Sequence, residues 1–462
     1  MTTQASRREF LRTASRLSVA GVATPWAVNL AVIGAAAAQT APTDYKALVC
    51  VFMYGGNDHS NMVVPFDNAS YTLYAQSRTN LTLAQTSLLP LATPTNPSMA
   101  GRQVSLRTEL QPLKTIYDAG KAAVLANVGT LVVPTTMAQY RARSVPLPPS
   151  LFSHNDQQSV WQTYNGRREG ARVGWGGRMG DLLATANQFQ NFTCVSASGT
   201  AVFLSGQASV QMQIGNSGGL AITGVSGSTL YGSTAGPATA RRLMTEDRAN
   251  LFEKDYNTIV KRSTEAAQTL NTALAGFPTT AAPFSTFSAT GLGNQMRNVA
   301  RMIAARQALG ARRQVFHVSI GGFDQHSGLI NGHGGRMTEL ANAMSAFYQA
   351  TVSLGIADSV TAFTASDFGR TLDSNGEGSD HGWGSHHFVV GGAVKGGELY
   401  GTWPETVLRG PNDVGRGNLL PTTSVNQYAA TLATWFGIAD TQLADVLPNA
   451  ANFPQTNLGF MV

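Results

Sequence analysis

Four short segments of this 462-residue chain place an acid, and in three cases a histidine, beside glycine or other small residues. They are Gly55-Gly56-Asn57-Asp58-His59, Gly321-Gly322-Phe323-Asp324-Gln325-His326, Ala365-Ser366-Asp367-Phe368-Gly369-Arg370 and Ser379-Asp380-His381-Gly382-Trp383-Gly384. Carboxylates crowded into one place repel each other unless a cation neutralises them, and imidazoles supply neutral nitrogen ligands. A divalent metal site drawing on Asp58, Asp324, His326, Asp367 and His381 is therefore the expected chemistry. Imidazole with carboxylate suits zinc or manganese, while the weight of aspartate leaves calcium or magnesium open. One such segment alone reads as a turn or a helix cap. The ordered set of four carries the expectation.

The elements that must position these groups are legible too. Lys46–Tyr54 is a near-continuous apolar run that meets Gly55-Gly56, the pattern of a buried strand ending in a tight loop. Residues 106–120 have helical periodicity and 121–128 read as a strand, and the Pro-rich loop Val145–Pro149 leads to Ser153 and a helical stretch through Thr163. Further on, Gln314–Ile320, Ser359–Thr364 and Phe388–Val390 read as strands, with a helix over Arg336–Leu354. Strands alternating with helices at both ends predict an α/β fold with one doubly wound, mostly parallel sheet. Functional loops of such sheets gather at the carboxyl ends of the strands, so segments far apart in sequence can meet there. Residues 39–462 are expected to form a single domain, with an insertion or cap at about 192–312 made of short strands and long Ala- and Arg-rich helices.

Composition narrows the function classes. Charged residues are 13% of the chain and the formal net charge is +6. Arg7, Arg8, Arg12 and Arg16 against Glu9 supply 4 − 1 = +3 of it, and no basic run follows, which argues against nucleic acid as a partner. Ser6-Arg7-Arg8-Glu9-Phe10-Leu11-Arg12, the uncharged stretch Leu17–Ala38 and the terminal alanines read as a secretory leader of the twin-arginine type over residues 1–38. The mature protein is then expected to be periplasmic or secreted, without a stable membrane span, meeting the Tat translocase only during export. Cys50 and Cys194 can pair in an oxidising compartment or remain buried thiols.

The stretches VCVFMYGGNDHSNMVVP, LFSHNDQQSVWQT, GWGGRMGDLL, VFHVSIGGFDQHS, VTAFTASDFGRT and GSDHGWGSHHFVVGGAVKGG resemble a bacterial domain-of-unknown-function family, number fifteen hundred and one of that series. That family is exported by the twin-arginine route and placed in the alkaline phosphatase–sulfatase superfamily. The resemblance implies an alkaline phosphatase-like fold and hydrolysis of phosphate or sulfate esters, with one or two divalent ions and a small-molecule or carbohydrate ester as substrate. It implies Asp58 on one metal, Asp324 and His326 on the other, His381 as the last ligand, and Ser153 as a nucleophile at the start of a helix. Two departures stand out: the spacing Asp324-x-His326 is shorter than in the phosphatases, and Phe368 follows Asp367 where the superfamily has histidine. Either one metal binds, or His59, His154 or Asp380 fills the gap; His154 and Arg370 are also candidate catalytic residues beside Ser153. Arg370 and Arg178 become candidates for ester oxyanions, with Asn57 and Gln158 as substrate or supporting hydrogen-bonding groups.

Plainer readings stand beside these. Ser153 can cap its helix, and Arg370 can be an ion pair holding Asp367. His317 reads as a packed core residue, His333 in a Gly-rich stretch as solvent-facing, and His386 and His387 as pointing to opposite faces of a strand. Trp161, Trp175 and Trp383 can fill a core or stack on a sugar. The alternative function is a non-catalytic extracytoplasmic binding or assembly protein on the same fold.

Overall fold

A computed structural model describes residues 42–164 and 170–462, apart from Ser217, Ala221, Thr223 and Ser226. The expected leader over 1–38 lies outside the described residues. The apolar run Lys46–Met53 forms a strand whose successive side chains enter different layers. Ala47, Val49, Val51 and Met53 join one apolar cluster, while Leu48, Cys50 and Phe52 join another. A strand with both faces covered needs such a continuous apolar run. The helices Gln111–Asp118, Gly291–Ala304 and Leu329–Ser353 cover the first face, and Trp175–Leu183 and Val425–Phe436 cover the second.

Among the described residues the main sheet has ten strands. Its neighbours run in the order Glu398–Tyr400, Ala122–Gly129, Ser385–Gly391, Val360–Ser366, Lys46–Met53, Arg313–Ile320, Cys194–Ser196, Met212–Gly215 and Gly218–Gly219. Thr423–Ser424 adds to Ala122–Gly129. Lys46–Met53 is parallel to both its neighbours, whereas Ser385–Gly391 is antiparallel to both of its own. The sheet is thus mixed but mostly parallel, with helices on both faces, as the alternation of elements predicts. Two strands of the expected insertion, Cys194–Ser196 and Met212–Gly215, extend this same sheet beyond Arg313–Ile320. Their short length and Ser/Gly-rich texture read, from sequence, as part of an insertion or cap. Cys50 and Cys194 are free and buried, and burial pushes both thiols upward in pKa. Among the described residues no helix is long and apolar enough to cross a membrane.

Three histidines are sealed inside these layers. His317 shares a hydrogen bond with Ser198 Oγ (2.8 Å), His386 Nδ1 accepts from the Asn127 amide (3.0 Å), and His387 Nδ1 lies 3.2 Å from Thr364 Oγ1. His386 stacks on Trp403 and His387 on Tyr428, which belong to opposite clusters, as strand alternation requires. Burial pushes each of these imidazoles down to about 3. The unfolded chain takes up these protons near pH 6.5, the folded one only near 3, so this stabilisation is complete above 6.5 and lost as pH falls through that window. Its limiting slope is about 1.4 kcal/mol per pH unit for each group. Urea unfolding at a series of pH values is expected to show stability dropping steeply between pH 6 and 4. A flat profile there contradicts neutral, buried imidazoles.

Candidate functional site

Lys46–Met53, Arg313–Ile320 and Val360–Ser366 are adjacent and parallel, so the loops that follow them leave one edge of the sheet together. Gly55 makes that convergence tight. Its φ is +115°, and a Cβ there would lie 2.3 Å from the backbone nitrogen of Asp324. Only glycine fits both the conformation and the approach. At Gly56 a Cβ would lie 2.4 Å from the ring of Phe368.

The centre of the edge is a cluster of His154, Asp324 and His381, whose candidate ligand atoms all lie within 4.8 Å of one another. Asp324 Oδ1 is 3.2 Å from His381 Nε2, 3.0 Å from His326 Nε2 and 2.8 Å from Arg370 Nη1, and Asp324 Oδ2 is 3.4 Å from His154 Nε2. Each imidazole of the trio has its other nitrogen occupied. His154 Nδ1 lies 2.7 Å from Asp367 Oδ2, and His381 Nδ1 lies 2.7 Å from the carbonyl of Phe152. Donating those protons leaves both Nε2 lone pairs turned to the cluster, the arrangement in which a carboxylate or carbonyl orients a metal-binding histidine. His154 Nε2 is buried and has no hydrogen-bond partner. Two imidazole nitrogens and a carboxylate, one nitrogen left without a donor, fit a divalent cation.

The surrounding groups hold this geometry. Asp367 Oδ2 also accepts from the Gln158 amide (2.8 Å) and from Gly55 N–H (3.2 Å). Phe368 packs against both rings, with centroids 4.8 Å from His154 and 4.8 Å from His381. The hydrogen bond to Asp367 raises the pKa of His154. Burial lowers that of His381, although its bond to Phe152 works the other way. Partial burial works to raise Asp324, but the hydrogen bond and charge of Arg370 outweigh it and hold the carboxyl below its usual range.

Sequence reasoning named several of these groups but not all their partners. Asp324, His326 and His381 come together, and His154, expected only as a catalytic or gap-filling residue, stands in the cluster itself. Asp367 reaches the cluster through His154 rather than alongside it. Asp58 is not among the contacts of this cluster: its buried carboxylate is paired through Oδ2 with Arg78 Nη2 at 2.5 Å, and Arg78 also donates to the carbonyl of Thr371. Asn57 is fully buried, and its side chain bonds His333 Nε2 (2.9 Å) and Met62 Sδ, the placement of a supporting group. Gln158 supports Asp367 instead of reaching outward. Arg178 spends its guanidinium on the carbonyls of Thr163 and Val446 at 2.8 and 2.9 Å, a clamp between segments and not an oxyanion contact. Arg370 is wholly buried against Asp324, Gly55 O and Ser379 O, so its partner is Asp324 and neither Asp367 nor solvent.

Ser153 precedes the His154–Thr163 helix, but its side chain does not cap it. Its Oγ instead donates to Asp156 Oδ2 at 2.9 Å. His333 is buried rather than solvent-facing, held between Asn57 and Arg107. Asp380, offered by the sequence as a gap-filling ligand, and Arg416, which the sequence did not single out, complete the rim. Asp380 Oδ1 lies 3.0 Å from His326 Nδ1, and Asp380 Oδ2 pairs with Arg416 Nη1 at 2.5 Å. Trp161 and Trp175 are core residues, and Trp383 Nε1 donates to the carbonyl of Thr130 from inside a smaller apolar cluster.

A doubly wound α/β protein with imidazoles and a carboxylate converging at the carboxyl edge of its sheet is the class these features define. The chain belongs to the family described as "Protein of unknown function (DUF1501)", which it matches over residues 45–447. It matches no curated protein. Among solved structures it is similar to the lipoteichoic acid synthase LtaP of Listeria monocytogenes, at 8% identity over 91% of this chain and 81% of that one, with a TM-score of 0.33. It is also similar to a Bacteroides thetaiotaomicron protein of glycosaminoglycan metabolism (10% identity, 86% and 74% coverage, TM-score 0.34). A third is a 2-O GAG sulfatase (8% identity, 86% and 71% coverage, TM-score 0.31). Likeness at these scores carries no residue-by-residue correspondence.

Proposed function

We propose that this protein is an exported, metal-dependent hydrolase of phosphate or sulfate esters. The observation that carries the reading is the His154–Asp324–His381 cluster, with the outer nitrogens of both histidines held by Asp367 and by the carbonyl of Phe152. These three residues would hold a divalent ion, with His326 beside them at the rim. When bound, such an ion polarises an ester oxygen and makes a neighbouring hydroxyl or water more acidic.

The chain's own residues do the rest. Arg370 anchors Asp324 and keeps it ionised. Asp367 and Gln158 fix the orientation of His154, and Phe368 closes the space between the rings. Ser153 is the nucleophile in this reading, flanked by Phe152 and His154, both of which touch the cluster. A serine hydroxyl is a poor nucleophile while protonated, and Asp156 is the group placed to take its proton. The start of the His154–Thr163 helix favours an anionic ester through the positive end of its dipole. Export rests on the arginine pair Arg7-Arg8 and the leader around it.

Purified mature protein is expected to carry about one equivalent of divalent metal and to hydrolyse aryl phosphates or aryl sulfates, with Ser153→Ala abolishing turnover and keeping the metal. Protein that takes up none of several added cations rules the reading out. Metal-loaded protein inert toward both ester classes points instead to a binding or assembly role, which Phe368 in place of an imidazole favours.

A further inference from the structure

The helix Leu251–Ala275 carries one apolar stripe in two different surroundings. Ala267, Leu270 and Leu274 are packed into the body, and a Cβ at Gly219 would lie 3.0 Å from the backbone of Ala267. Toward the N-terminus the stripe continues at helical spacing through Ile259, Tyr256 and Phe252. There it meets solvent: Ile259 is 66% exposed, Tyr256 55% and Phe252 83%, against 0% for Leu270. The preceding helix Gly236–Thr245 sets Leu243 beside them, leaving an open groove of about 540 Å³.

The charges flanking the stripe identify what fits it. Glu253, Asp255 and Glu265 balance Lys254, Lys261 and Arg262, whereas a helix lying on an anionic lipid surface carries a basic polar face. Asp255 and Arg262 are two turns apart on one side of the stripe, and among the described residues neither has an ion-pair partner. A second copy of the helix laid antiparallel, with the two-fold axis passing between residues 258 and 259, sets each Asp255 against Arg262 of the other copy. It also brings Tyr256 and Ile259 together at the axis. An isologous contact repeats each pairing twice, so one acid–base spacing serves both ends. We infer that the exposed half of this helix is a self-association surface, by which two copies pair antiparallel through Phe252, Tyr256 and Ile259 and lock register with Asp255 and Arg262.

This surface is independent of the hydrolase reading, and its test needs no substrate. Sedimentation equilibrium of the mature protein is expected to give twice the chain mass. Ile259→Asp is expected to give a monomer with unchanged thermal unfolding. Arg262→Asp or Asp255→Arg alone is expected to weaken the dimer at least about tenfold in dissociation constant, and the two together to restore it. A chain that is monomeric at every concentration overturns the inference, as does one that remains monomeric and co-sediments with phosphatidylcholine or phosphatidylglycerol vesicles. So does a dimer indifferent to Ile259→Asp, or a folded double-swap protein that fails to re-associate.

Discussion

His154→Ala is expected to strip the divalent ion from the purified protein and to lower ester turnover about a thousandfold, or about 4 kcal/mol of barrier at 1.36 kcal/mol per decade. The fold should hardly notice. The His154 side chain is 26% exposed, so its removal opens space to solvent and not a sealed cavity, and Asp367 keeps the Gln158 amide and the Gly55 N–H. Asp367→Asn should give a graded version of the same defect. An amide has the size of the carboxylate but lacks its charge, so it orients His154 less firmly, and metal affinity should fall about 10–100-fold. Chelator competition measures that affinity directly. If His154→Ala retains both its metal and its turnover, the cluster is not where the chemistry happens.

Asp58→Ala is expected to destabilise the protein by about 3–5 kcal/mol, the usual result of removing one partner of a buried ion pair. Arg78 is 0% exposed and Asp58 1%, and their contact is 2.5 Å. Without the carboxylate, the guanidinium keeps only carbonyl acceptors such as Thr371 O. Replacing both residues with apolar ones of similar size, as in Asp58→Leu with Arg78→Met, should recover much of the loss, because breaking a pair costs more than never having it. Urea unfolding of the single and double variants decides the matter. Asp58→Asn that unfolds like wild type but loses its metal would return Asp58 to the ligand role its position in the sequence suggests.

The layered fold was legible because its signals are local. Lys46–Met53 is apolar at every position after the first because both its faces are covered, and an apolar run of that length before two glycines has few other readings. The site was legible where residue type alone restricts the role, as for Asp324 and His326 after one strand and His381 ahead of another. It was less legible where a residue's partner lies elsewhere in the chain. Nothing in the spacing around Asp58 announces that Arg78, at the end of the helix Asn68–Arg78, turns inward to meet it. Arg178 and Arg370 look like anion binders from sequence because the carbonyls that absorb them leave no compositional trace. His333 was hidden by its neighbours. Gly332, Gly334 and Gly335 suggest a loop, yet they lie in the helix Leu329–Ser353, where a Cβ at Gly334 would sit 2.6 Å from Glu109 Oε1. Gly332 and Gly334 serve close packing, against Gln325 and Glu109, which a propensity scale records as helix breaking.

The phenyl ring of Phe368 has a further consequence. It packs against both imidazoles, with interplanar angles of 36° and 32°, and so narrows the range of each ring. A flexible pair of histidines must freeze before it can grip anything, at about 0.5–1.5 kcal/mol for each side chain immobilised. Here that ordering is completed during folding, so the nitrogens stand pre-aimed before any guest arrives. Capture of a cation by this cluster would then be a matter of shedding hydration, its pace following the ion's own water exchange instead of any rearrangement of the protein.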